Sequence, residues 1–89
     1  HIVAQKDKRA FPSQKILARY NIKLNSSYNT IFIKKTLHKH LHTYSYHVAV
    51  YAVLRSLEVK GNSQNTRKYR VISGLVYIKM LLNAANRFV

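Results

Sequence analysis

The sequence predicts an all-α fold of three to four helices, with a basic extended N-terminal arm and at most one short hairpin. Two observations carry that prediction. Apolar side chains recur three and four residues apart across residues 28–59 and 75–89, the spacing that lines one face of a helix. Cap and stop residues stand where those periods begin and end: Ser13, Ser26 or Ser27, and Thr43 at starts, Gly61 at a stop. Eighty-nine residues make one domain at most. Residues 1–12 read as a basic N-terminal extension and residues 13–89 as a single helical domain.

In chain order, residues 1–10 (HIVAQKDKRA) show no apolar period. Pro12 biases Phe11 toward extended geometry, and Ser13 is placed to cap a short helix at 14–20 with Ile16, Leu17 and Tyr20 on one side. Residues 21–26 contain small polar residues suited to a turn. The first long helix is expected at 28–40, where Ile33, Leu37 and Leu41 share a face and Lys34, Lys35 and Lys39 form a basic flank. Thr43 opens a second helix carrying Tyr44, Val48, Tyr51, Arg55 and Val59 at helical spacing. Residues 48–54 are so uniformly apolar that this helix should be covered on more than one side. Residues 61–65 stop it. Thr66-Arg67-Lys68-Tyr69-Arg70 follow as the densest basic–aromatic cluster, and residues 71–74 fit either a short strand or a turn. Residues 75–88 close the chain as a helix with Leu75, Ile78, Leu81, Leu82, Ala85 and Val89 on one stripe.

Charge names the kind of partner. Sixteen Lys and Arg face only Asp7 and Glu58, a formal net charge of +14. Self-repulsion of that size favours binding to a polyanion, and nucleic acid is the foremost one because neutralising its phosphates releases counterions. An anionic membrane surface is the competing polyanion. The apolar runs at 48–54 and 71–82 fall short of the roughly 20 residues a spanning helix needs, so no transmembrane segment is expected. With no cysteine, disulfides, iron–sulfur clusters and thiolate zinc sites are excluded.

Catalytic chemistry is hard to build from this inventory. Asp7 and Glu58 are the only acids, Asp7 falls in the extension, and no phosphate loop or nucleophile motif occurs. The expectation is therefore that the chain is not an enzyme and has no small-molecule substrate and no cofactor. His38 and His42 fall one helical turn apart and could share a metal ion with His47 as a remote third ligand. With lysines adjacent and no cysteine or carboxylate close in sequence, a surface strip of imidazoles that hydrogen-bond or stack on RNA is the preferred reading, with no metal. Cations fall in three clusters separated by apolar helices: Lys6, Lys8 and Arg9; Lys34, Lys35 and Lys39; Arg67, Lys68 and Arg70. These nine cations, with Tyr69 as a stacking platform, are the candidate RNA-binding residues.

The order of these features resembles the small-subunit ribosomal protein S-seven family. Ile33-Lys34-Lys35-Thr36-Leu37 stands where that family has a first helix, and Ala49-Val50-Tyr51-Ala52-Val53-Leu54 where it has a second. Thr66-Arg67-Lys68-Tyr69-Arg70-Val71 is similar to the approach to its hairpin, and residues 77–87 to a later helix. The chain departs from the family in lacking a Gly-Lys-Lys signature, in a shortened hairpin and in lacking its C-terminal helices. The resemblance implies a structural constituent of the ribosome, bound to ribosomal RNA in the small-subunit head through Lys34, Lys35, Arg67, Lys68 and Arg70. Its other partners would be neighbouring ribosomal proteins. Abundant Lys, Asn, Ile and Tyr suggest an AT-biased genome, hence a mitochondrial ribosome or the cytoplasmic ribosome of an AT-rich organism. The alternative expectation is a peripheral basic subunit of a membrane-associated complex.

Overall fold

A computed structural model describes residues 1–41 and 43–89. The chain is all-helical: α1 (Phe11–Arg19), α2 (Lys35–Leu41), α3 (Tyr44–Glu58) and α4 (Gln64–Asn86), with 3-10 turns at Lys8–Ala10 and Ser27–Asn29. No strand, and so no hairpin of strands, occurs among the described residues. No described helix is long and apolar enough to cross a membrane.

The core lies where α1 and the first residues of the chain pack on the antiparallel pair α3–α4. Ile16 and Leu17 from α1, Val50 and Leu54 from α3, and Val71, Leu75, Ile78 and Leu82 from α4 form one cluster with Ile2, Val3 and Ala10. Residues 1–6 form no helix, but this segment is anchored: Ile2 and Val3 are fully buried. Its two apolar side chains are too few to show a period, yet they suffice to fix its path.

Helix α1 starts earlier than Ser13 suggests. Pro12 sits in the first turn, where its missing N–H costs nothing. Ser13 therefore falls inside the helix, buried, and does not cap it. The helix ends in a double backbone closure, Asn21 N–H to Ala18 O and Ile22 N–H to Leu17 O, with Asn21 in the left-handed region at φ 55°. Asparagine tolerates that conformation better than most residues, and the turn delivers Ile22 to the core.

The long helix expected at 28–40 is reduced to α2. Asn29 is fully buried and spends its side chain on other backbone: Oδ1 accepts from Val3 N–H at 2.8 Å, and Nδ2 donates to Val3 O at 3.0 Å and Leu24 O at 2.9 Å. With Asn29 committed sideways and β-branched residues at Thr30, Ile31 and Ile33, residues 30–34 run without helix.

Helix α3 begins as the sequence indicates, with the Thr43 hydroxyl accepting from Tyr46 N–H at 3.1 Å. The second cover expected over residues 48–54 is missing: Val50 and Leu54 are buried, while Val48 and Tyr51 stay exposed. Helix α4 runs unbroken from its Ser63 cap, through the basic cluster and residues 71–74. Gly74 marks the crossing with α3, where a Cβ would come within 2.8 Å of Leu57 Cδ1 and 3.1 Å of Leu54 Cδ2. Of the stripe expected on this helix, Leu75, Ile78 and Leu82 are buried, but Leu81 is half exposed.

Candidate active site

Two tethers bring the first residues of the chain against α2 and α3. Asn29 holds Val3 from below, and Ile2 N–H donates to Asn29 O at 2.8 Å. From above, the Tyr46 hydroxyl donates to Ile2 O at 2.7 Å. Burial pushes the Tyr46 phenol up to about 12, so it remains a donor across any physiological range. With Ile2 and Val3 held inward, His1 is left at the surface, and its Nε2 lies 2.8 Å from Asn25 Oδ1. A carboxamide oxygen only accepts, so in this contact Nε2 donates, and in the neutral ring that leaves Nδ1 as the acceptor.

Asp7 enters from the same segment. Its Oδ1 accepts from Arg9 N–H at 2.9 Å and Arg9 Nε at 3.0 Å, and its Oδ2 accepts from Arg9 Nη2 at 2.7 Å. These hydrogen bonds from Arg9, side chain first and backbone second, hold the carboxyl well below the usual carboxylate range. Asp7 Oδ2 also lies 3.3 Å from His47 Nε2, an ion-pair distance without hydrogen-bond alignment. His47 is buried in the first turns of α3, its ring edge-on to Tyr46 with centroids 5.5 Å apart.

Between these elements lies a cleft of about 310 Å³ whose polar lining is His1, Lys35, His38, Tyr46 and His47, with Ile31, Ile33 and Leu41 among its apolar walls. Lys6 and Asp7 extend the lining on one side, beside His1 and His38. Three imidazoles, a carboxylate and two lysines thus meet where the sequence placed an arm, a helix flank and a second helix. The carboxylate that the sequence puts far from His38 and His47 is brought to them by the fold.

The candidate nucleic-acid residues divide between this cleft and other surfaces. Lys6 and Lys35 line the cleft or its edge. Lys8 and Lys39 are exposed nearby on the first 3-10 turn and on α2. Arg9 is committed to Asp7, and Lys34 donates to Val89 O at 2.9 Å. Arg67, Lys68, Tyr69 and Arg70 stand in the first turns of α4, outside the cleft. Arg67 Nε donates to Gly61 O at 2.9 Å, and Tyr69 is 70% exposed. Sequence reasoning missed His1, Asp7, Asn25, Asn29 and Tyr46. The only available signal was the apolar pair Ile2-Val3 directly after a histidine.

Of the metal reading, His38 and His47 line one cleft, while His42 lies outside the described residues. Among the described residues no group of three His, Asp or Glu side chains converges closely enough to hold a metal ion.

These features define a small, strongly basic, all-helical protein with a histidine-lined cleft. Residues 1–86 match AHH, a nuclease family of the HNH/ENDO VII superfamily with conserved AHH, and the chain belongs to that family. No curated protein and no solved structure matches it. The 89 residues contain no Ala-His-His triplet, so the roles of the histidines rest on geometry rather than on that motif.

The family overturns several expectations at once. The resemblance to ribosomal protein S-seven was carried by two apolar helices and a basic segment, features common to many small basic proteins, and it does not hold. With it fall the role of structural constituent of the ribosome and the partnership with ribosomal RNA and neighbouring ribosomal proteins. The expectation that the chain is not an enzyme is likewise corrected, since the family is one of nucleases. Nothing favours the membrane-complex alternative. The +14 charge pointed to a polyanion, but charge alone does not separate a protein that holds nucleic acid from one that cuts it.

Proposed function

We propose that the chain is a nuclease that hydrolyses a phosphodiester bond in the histidine-lined cleft. The observation that carries this reading is the family match across residues 1–86. The cleft supports it, because it holds the groups that the reaction needs. His1 presents Nδ1 while Asn25 holds the opposite edge of its ring. That nitrogen takes the proton from a water whose oxygen attacks phosphorus. Lys35 and Lys6 offset the negative charge that builds on the phosphoryl oxygens. His38 lines the same cleft and returns a proton to the departing ester oxygen. His47 is too buried to meet substrate directly, and with Asp7 and Tyr46 it fixes the wall against which His1 is set. The outer cations Lys8, Lys39, Lys68 and Arg70, with Tyr69, are assigned to holding the polynucleotide, while Arg9, Lys34 and Arg67 are engaged within the fold.

The test is cleavage of supercoiled plasmid, single-stranded DNA and RNA, with divalent cations added and with chelator. Cleavage of at least one substrate is expected. His1→Ala should lower its rate by about 10²–10⁴-fold, the range of a lost general base, with the circular dichroism spectrum unchanged. A protein that cuts none of the three under any condition, or a His1→Ala variant as active as wild type, would overturn the assignment.

A further inference from the structure

Asn25, which holds the His1 ring, also lines a second groove, of about 290 Å³, between the loop that follows α1 and the first turns of α4. We infer that this groove binds one unpaired nucleotide of the strand whose phosphodiester occupies the histidine cleft; the inference rests on the nuclease reading above.

Four observations point there. Lys23 and Lys68 both line the groove. The chain has only two side-chain carboxylates, and both are engaged elsewhere, Asp7 with Arg9 and Glu58 with Arg19 and Arg55. The two ammonium groups therefore have no acidic side chain to neutralise them, and a phosphate can fill that role. Tyr28 stands at the same groove, 45% exposed, on the 3-10 turn whose last residue is the buried Asn29. An aromatic ring carried beside such an anchor is held in place, which makes it a platform for a base face. Ile72 adds an apolar lining. A free inorganic anion has no use for an apolar wall and a ring, whereas a nucleotide uses both.

The fourth observation is Ser26, which lines the groove and whose Oγ is buried without a hydrogen-bond partner among the described residues. The volume suits one base and its phosphate, near the lower end of about 300–1,000 Å³ for small-molecule sites. Asn25 joins the two sites, since it lines the groove and holds the His1 ring at 2.8 Å. A strand crossing Asn25 thus has a phosphate at one site and a base at the other. Tyr28 can stack only on a base that is not already stacked within a duplex, so the occupant is single-stranded.

The experiment measures binding of nuclease-resistant phosphorothioate oligonucleotides by fluorescence anisotropy, with single-stranded DNA, RNA and duplex DNA as separate probes. Tyr28→Ala should weaken single-strand binding by about 5- to 150-fold, the range one stacked base contributes. Tyr28→Phe, which keeps the ring, should bind as wild type. Lys23→Ala with Lys68→Ala should lower affinity and shallow the salt dependence by about 0.7 in log–log slope, the value for one phosphate contact on a single strand. The DNA and RNA probes show which sugar the groove accepts. Unchanged binding by Tyr28→Ala, or duplex binding as sensitive to it as single-strand binding, would overturn the groove. Cleavage by a protein whose groove variants bind normally removes this inference alone. Loss of single-strand binding in those variants, in a protein that cuts nothing, removes the catalytic reading and leaves the groove.

Discussion

The two ends of this molecule are built by different means. From Tyr44 onward it is a helical pair closed by apolar packing, with Leu54, Val71 and Leu75 fully buried and Gly74 letting the helices meet. Before Tyr44, two short helices and two 3-10 turns share that core through Ile2, Val3, Ile16 and Leu17, but their path is set by individual polar contacts, with Asn29, Asp7 and, from α3, Tyr46 as the fastenings. The pair is a base that tolerates small errors of geometry, because dispersion and burial are not directional. The N-terminal half depends on direction and holds the cleft. Stability and catalysis should therefore respond differently to damage in the two regions.

The largest effect is expected in the helical pair. Leu54→Ala removes a fully buried side chain between α3 and α4 and should cost about 2–5 kcal/mol in chemical denaturation. Activity should fall only with the folded fraction. Asn29→Ala leaves Val3 N–H, Val3 O and Leu24 O without their partner, a loss of about 1–3 kcal/mol for an unsatisfied buried group. Here cleavage per folded molecule should drop as well, because His1 loses its footing. Equal losses of specific activity in the two variants would erase the distinction between the regions.

Glu58 gives a pH-dependent version of the comparison, since it ties α1 to the end of α3. Burial raises its carboxyl pKa, but hydrogen bonds from Tyr20, Arg19 and Arg55 outweigh that and lower it from 4.5 to about 2. A carboxyl with a depressed pKa stabilises the fold fully above its unfolded value, and the contribution is lost as pH falls through the folded one. Wild type should lose stability between pH 4.5 and about 2. Glu58→Gln should flatten that slope without abolishing it, because Asp7 is held low as well. Thermal unfolding across that range reads the difference. The smallest effect belongs to Thr43→Ala, about 1 kcal/mol for a lost N-cap. That loss falls on the turn that carries Tyr46 and His47.

The same division governs what the sequence could reveal. Thr43 marked the start of α3 and residues 61–65 its end, because caps and stops are local signals. The first turns of α4 were missed since Thr66–Arg70 has no apolar period; they are helical because Ser63 caps them and Val71 and Leu75 pack on α3. Gly61 was read as a cap, but no glycine here has positive φ; it is glycine because a Cβ would lie 2.5 Å from Arg67 Cγ. The cleft left almost no local trace. His1 meets Asn25 across 24 residues and Val3 meets Asn29 across 26, contacts created only by closure of the fold. Charge was fully legible and led to nucleic acid, though to the wrong use of it.

The joining of His1 to partners that come later in the chain also sets an order of events during synthesis. His1 is made before its partners, so its ring is not held until Asn25 emerges, and the wall behind it is incomplete until Tyr46 and His47 follow. A chain halted before Tyr46 therefore carries nine of the sixteen Lys and Arg but lacks the wall of the cleft.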